Sequence, residues 1–182
     1  YSLGRILENV SRLQQFFSPL NAHIHYSVKA NGNLSILRAL VANGLGLDVV
    51  SGGEIYRALL AGTNPEKIVF AGVGKTIDDI QYALDTGVGW FNVENVTELK
   101  IINTLAGQRG RKARIALRLN PNVTANTHPY IATGHGGAKF GMTEEVITNI
   151  LARQTEYPHV DIQGVHIHIG SQLGDTTATL QA

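Results

Sequence analysis

The 182-residue sequence contains no cysteine, which removes disulfides, thiolate metal sites and a cysteine nucleophile from consideration. A reducing compartment such as the cytoplasm suits such a chain. No segment approaches the roughly 20 apolar residues needed to span a bilayer. The opening YSLGRILENVSRLQQFF mixes charged and apolar positions, so it reads as neither a signal peptide nor a membrane span. Excess charge is lacking too, with 15 Lys and Arg against 14 Asp and Glu. Without a basic stripe to neutralise phosphates, no nucleic-acid partner is expected. Composition is that of a globular chain, 43% hydrophobic and 16% charged, with enough apolar material for one core of typical domain size. The chain opens on Tyr1 rather than Met and closes on LGDTTATLQA, an ending that suggests a fragment.

Leu3, Ile6, Leu7, Val10, Leu13 and Phe17 recur at three- and four-residue intervals and predict an opening helix. His23 to Lys29 then reads as a strand, and Asn33 to Asn43 as a helix closed by Gly44. The unit repeats. Strand-like runs at 47–51, 67–72, 90–93 and 113–120 alternate with helical runs beginning near Gly53, Thr76, Asn95 and Thr143, before a last strand at 160–170. Strands separated by helices predict parallel βαβ units and an α/β fold.

Strand parity favours a barrel over a doubly wound sheet. Period two puts His25, Ser27 and Lys29 on one face of the first strand, with Ile24, Tyr26 and Val28 on the other. Arg114, Arg118 and Asn120 likewise oppose Ile115, Leu117 and Leu119, and His166 and His168 share a face. Apolar faces suit covering helices, and polar groups at strand ends suit the C-terminal mouth of a (β/α)8 barrel. A Rossmann sheet would carry G-x-G-x-x-G after its first strand, whereas AGVGKT at 71–76 has neither that spacing nor the Walker pattern. Six strands of eight make the barrel incomplete, since a whole one takes about 250 residues.

Several side chains could carry chemistry. Lys29 is either a solvated strand-end lysine or a desolvated amine able to attack a carbonyl. His166 and His168 could bind a metal, lie against a planar cofactor, or simply pack. Gly170-Ser171 offers an amide and a hydroxyl to an anion. Ser51-Gly52-Gly53-Glu54 could cradle a phosphate, but it also reads as a capping box, the reading preferred here. Asp48 and Arg118 lie within strands, where a charge must be paired or functional. Pro121 to Met142 is a long Asn-, Thr- and Gly-rich stretch, the kind that serves as a lid or is disordered, and Lys139-Phe140-Gly141 could anchor it.

Taken in order, YSVKANGN, LDVVSGGEIYRALLAG, KIVFAGVGKT, FNVEN, ALRLNPNV, THPYIATG, KFGM and VHIHIGSQ resemble the fold-type III pyridoxal-phosphate (PLP) decarboxylases, and within them the diaminopimelate branch. The resemblance covers practically the whole chain. It implies an alanine-racemase-like PLP barrel in which Lys29 holds the cofactor as a Schiff base, His168 stacks on its ring and Ser171 binds its phosphate. Asp48, Arg118 and Lys139 match positions in or near that site. It further implies decarboxylation of meso-2,6-diaminopimelate to L-lysine by a homodimer with shared active sites. Residues 1–182 would then be the PLP-binding barrel domain without the family's C-terminal β-domain, with little activity of their own. GHGGAKFG is richer in glycine than the family's loop. Other readings are an ornithine, arginine or carboxynorspermidine decarboxylase, a non-catalytic PLP-binding barrel, and a metal-dependent barrel hydrolase built on His166 and His168 with His23 and His25.

Overall fold

A computed structural model describes residues 1–122, 140–170 and 177–181. Helix α1 (Leu3–Phe17) precedes strand β1 (His25–Ser27), after which α2 (Leu34–Ala42), β2 (Gly46–Val49), α3 (Gly52–Leu60), β3 (Ile68–Phe70), α4 (Ile77–Thr86) and β4 (Trp90–Val93) alternate. The alternation continues through α5 (Val96–Gln108), β5 (Ala113–Leu119), α6 (Glu144–Ala152), β6 (Val160–Ile167) and the short α7 (Thr177–Gln181). The strands lie in one sheet in chain order, and the pairings β1–β2, β2–β3, β3–β4 and β5–β6 are parallel. A doubly wound sheet reverses its strand order at a switch point, whereas a (β/α)8 barrel advances one strand at a time. The observed order has no reversal. The chain divides into two compact units, residues 1–91 and 92–182.

In the first unit, register places Tyr26 beside Leu47 and Leu47 beside Ile68. Leu47 and Ile68 are fully buried, and Ile24 and Tyr26 pack with Ile6, Val10, Ile36, Leu40 and Leu45. This is the helix-covered apolar face that strand parity predicts. The opposite face pairs His25 with Gly46 and Ser27 with Asp48. α2 begins with the Asn33 side chain accepting from the Ser35 and Ile36 amides. It ends in a Schellman closure, with Gly44 N–H on Val41 O and Leu45 N–H on Leu40 O. Gly44 has φ of 89°, a conformation open to glycine at little cost.

The second unit buries Leu99, Ile102, Ala106, Ile115 and Leu117. β5 and β6 pair from Ala113 with Val160 to Leu119 with Ile167, shifting register between Ile115 and Ala116, so that Arg118 lies beside His166.

One sequence expectation changes in kind. The first strand stops at Ser27, and Lys29 sits in a single 3-10 turn, Val28–Ala30. Its direction therefore does not follow from strand alternation. The third strand is also shorter than expected, because Lys67 belongs to a 3-10 turn at Pro65–Lys67 and Gly72 adopts φ of 98°.

Candidate functional site

Lys29 follows β1 at the sheet's C-terminal edge, with Val28 buried before it and its own residue exposed. Burying Val28 fixes the turn while leaving a primary amine accessible. On the adjacent strand, Asp48 Oδ2 accepts from the Ser27 hydroxyl at 2.9 Å. The charge that the sequence left without a visible partner is thus held by a register neighbour. His25 lies over Gly46, where any side chain would collide with its ring. Burial lowers the His25 pKa below its ordinary 6.5, outweighing the raising influence of its hydrogen bond with the His23 backbone and of the Asp48 charge.

Ser51-Gly52-Gly53-Glu54 is a helix start, as the capping reading expects. Glu54 N–H donates to Ser51 Oγ at 3.2 Å. The Glu54 carboxylate reaches one residue further back than a regular capping box, taking the Val50 amide at 2.8 Å. A second carboxylate joins there from α4: Asp79 Oδ1 accepts from Gly52 N–H at 2.8 Å, while its Oδ2 accepts from the Thr76 amide and hydroxyl. Burial opposes charge on Asp79, but the hydrogen bonds from Thr76 and Gly52 outweigh it and lower its pKa.

In the second unit, Arg118 answers the pairing question raised by its place in a strand. Its Nη1 donates to both oxygens of Glu94 at 2.8 Å, with side-chain exposures of 7% and 3%. Glu94 directly follows β4, and its own amide donates to Glu98 Oε2 at 3.4 Å. The Phe140 ring lies 5.6 Å from the Arg118 guanidinium carbon, close enough for a cation–π contact. Met142 exchanges backbone hydrogen bonds with Arg118 and Asn120 at 2.8 Å. Gly141, at φ of 79°, lies so near that a Cβ there would be 3.1 Å from Arg118 O. Phe140, Gly141 and Met142 thus pack onto the end of β5, while Lys139 and the stretch it was expected to anchor lie outside the described residues.

β6 ends at Ile167, and His168 is the first residue past it. The alternation of exposure from Asp161 to Ile167 continues through His168, which keeps it in step with His166 on the less exposed set. Among the described residues no group of three or more His, Asp or Glu could hold a metal ion. Ser171, Lys139 and the THPYIATG segment lie outside the described residues. Sequence reasoning missed Glu94 as a partner and Asp79 as a cap shared by two helices. The signal for Glu94 was an acid directly after the buried WFNV run. Nothing local in the sequence joins it to Arg118, 24 residues away.

Strands in chain order without a reversal, alternating with helices, define a barrel-type α/β domain, with an exposed lysine just after its first strand and a buried arginine near the end of its fifth. The family model described as "Pyridoxal-dependent decarboxylase, pyridoxal binding domain" matches residues 3–182. The chain belongs to that family. It is 47% identical over 152 residues to the diaminopimelate decarboxylase of Zymomonas mobilis, covering 84% of this chain and 36% of that protein. It is 41% identical to the Neisseria meningitidis enzyme of the same name over all 182 residues, which make up 44% of that protein. The crystal structure of Helicobacter pylori diaminopimelate decarboxylase complexed with L-lysine superposes on the whole chain with a TM-score of 0.96 and 42% identity, covering 46% of that structure's chain. A Chlorella virus arginine decarboxylase matches more distantly, with a TM-score of 0.79 and 26% identity over 97% of this chain and 44% of that one. The fold is therefore the PLP-barrel class, with six strands of it present, and the chain spans less than half the length of the relatives it matches.

Proposed function

We propose that the protein is a PLP-dependent decarboxylase that removes carbon dioxide from the D-centre of meso-2,6-diaminopimelate to give L-lysine, as a cytoplasmic homodimer with shared active sites. The observation that carries this reading is the accessible Lys29 amine just past β1, in a chain matching diaminopimelate decarboxylases along its whole length. Residues 1–182 serve as the PLP-binding barrel part of that enzyme.

The residues present suit PLP chemically. A free primary amine is what an aldehyde cofactor requires, and the planar Arg118 and the imidazole of His168 are partners for its oxygens and ring. When bound, PLP supplies an electron sink for the pair left behind as carbon dioxide departs. Lys29 would hold the cofactor through Nζ and would supply a proton-carrying group for the reaction. His168 would hold the cofactor ring, Ser171 its phosphate, and Asp48, fixed by Ser27, together with Arg118 would complete the cofactor contacts. Among the described residues no helix is long and apolar enough to cross a membrane.

The test is a comparison of substrates on the full-length protein loaded with PLP, since residues 1–182 match less than half the length of the relatives. Lysine should form from meso-2,6-diaminopimelate in preference to any product from ornithine, arginine or carboxynorspermidine. Faster turnover of one of those three would move the protein to another branch, and PLP binding with no turnover of any would favour a non-catalytic barrel.

A further inference from the structure

Burying an arginine against a glutamate is a costly way to stabilise a fold. The desolvation of both groups is only partly recovered, and an apolar pair of the same volume often does as well or better. The Glu94–Arg118 pair, nearly closed to solvent, therefore calls for a role other than stability. Its geometry is one-sided. Both Glu94 oxygens sit on Nη1 alone, so the N–H groups on Nε and Nη2 need acceptors other than Glu94. Phe140 covers the guanidinium from 5.6 Å. Glu94 is in turn held by the start of α5, where Asn95 caps the Glu98 amide and Glu98 takes the Glu94 amide. The whole device stands on the polar face near the C-terminal end of β5, beside His166.

We propose that Glu94 is a positioning residue that acts through Arg118: it holds the guanidinium by Nη1, turns the Nε and Nη2 edge toward an oxygen of bound PLP, and cancels the arginine's charge. The cofactor then meets a hydrogen-bond donor with little net positive field. This deepens the proposed function and rests on it.

The experiment uses the purified protein loaded with PLP, comparing wild type, E94Q, the double variant E94M/R118M, and Lys29→Ala. PLP affinity is measured by equilibrium dialysis, the pH midpoint of the Lys29-dependent visible absorbance by titration, and folding by thermal melting. E94Q should weaken PLP binding about tenfold, a usual scale for losing an orienting partner. It should also lower the pH midpoint, because an uncancelled positive charge disfavours a protonated cofactor nitrogen. E94M/R118M, again without net charge, should restore the wild-type midpoint while binding PLP as weakly as E94Q or more so. A lowered melting temperature in E94Q with wild-type affinity and midpoint would make Glu94 merely structural and overturn the proposal, as would wild-type PLP affinity in the double variant. If E94Q does not fold, the double variant still decides through its affinity. Absence of a visible band that disappears in Lys29→Ala would instead fell the proposed function itself, a failure recorded on the wild-type protein before Glu94 is touched.

Discussion

Lys29 shows what a single residue's place in sequence does and does not convey. Period two assigned it a direction, yet the strand ends two residues earlier and the backbone turns through Val28–Ala30. The residue was legible and its conformation was not, because strand length in a parallel sheet is fixed by pairing partners that sequence alone does not reveal. Arg118 gives the complementary case. Its need for a partner followed from the cost of burying charge, but the identity of Glu94 depends on which strands are neighbours. His25 leads to a test at this scale. Its pKa is lowered chiefly by burial, so the unfolded chain binds its proton more readily than the folded one. Stability should then fall as pH drops below the ordinary 6.5. Denaturant melts of wild type and His25→Gln between about pH 7 and 5 should diverge, with wild type losing more. Parallel curves would remove His25 from the acid response. Gly141→Ala should destabilise the protein by about 1–3 kcal/mol, the usual scale for holding a non-glycine residue in an unfavourable backbone conformation, since φ is 79° and Arg118 O lies close. Chemical denaturation measures it directly.

At the level of elements, helix starts were far more legible than strand ends. Asn33, Thr76, Asn95 and Thr143 all act as N-caps at or beside the expected helix starts, because capping is a local contact between a side chain and amides two or three residues on. What local reasoning could not supply is a cap that serves two helices. Asp79 does so, holding Thr76 at the start of α4 and Gly52 at the start of α3. Asp79→Ala should therefore cost about 2 kcal/mol, the upper range for one cap, and lower the melting temperature at neutral pH. The pKa of this carboxyl is lowered on folding, so its contribution is present above the ordinary 3.8 and is lost as pH falls through the lower folded value. The gap in melting temperature between wild type and Asp79→Ala should close over that acid range. A gap that persists there would show that the carboxylate's charge is not what binds the two turns.

For the molecule as a whole, fold class could be read from alternation alone, and barrel over doubly wound sheet from the polar faces of β1 and β5. Strand order confirms it, running from β1 to β6 without a reversal. The missing cysteines and balanced charge narrowed the classes of function, but the chemistry itself came from motifs, and the family match spans residues 3–182, which include all of them. The central claim is that this barrel holds PLP on Lys29. Borohydride reduction of the PLP-loaded protein, followed by peptide mapping in a mass spectrometer, tests it most directly. The account predicts a phosphopyridoxyl group on the peptide containing Tyr26-Ser27-Val28-Lys29. The same group found only on another lysine, such as Lys75, or on none, would contradict it.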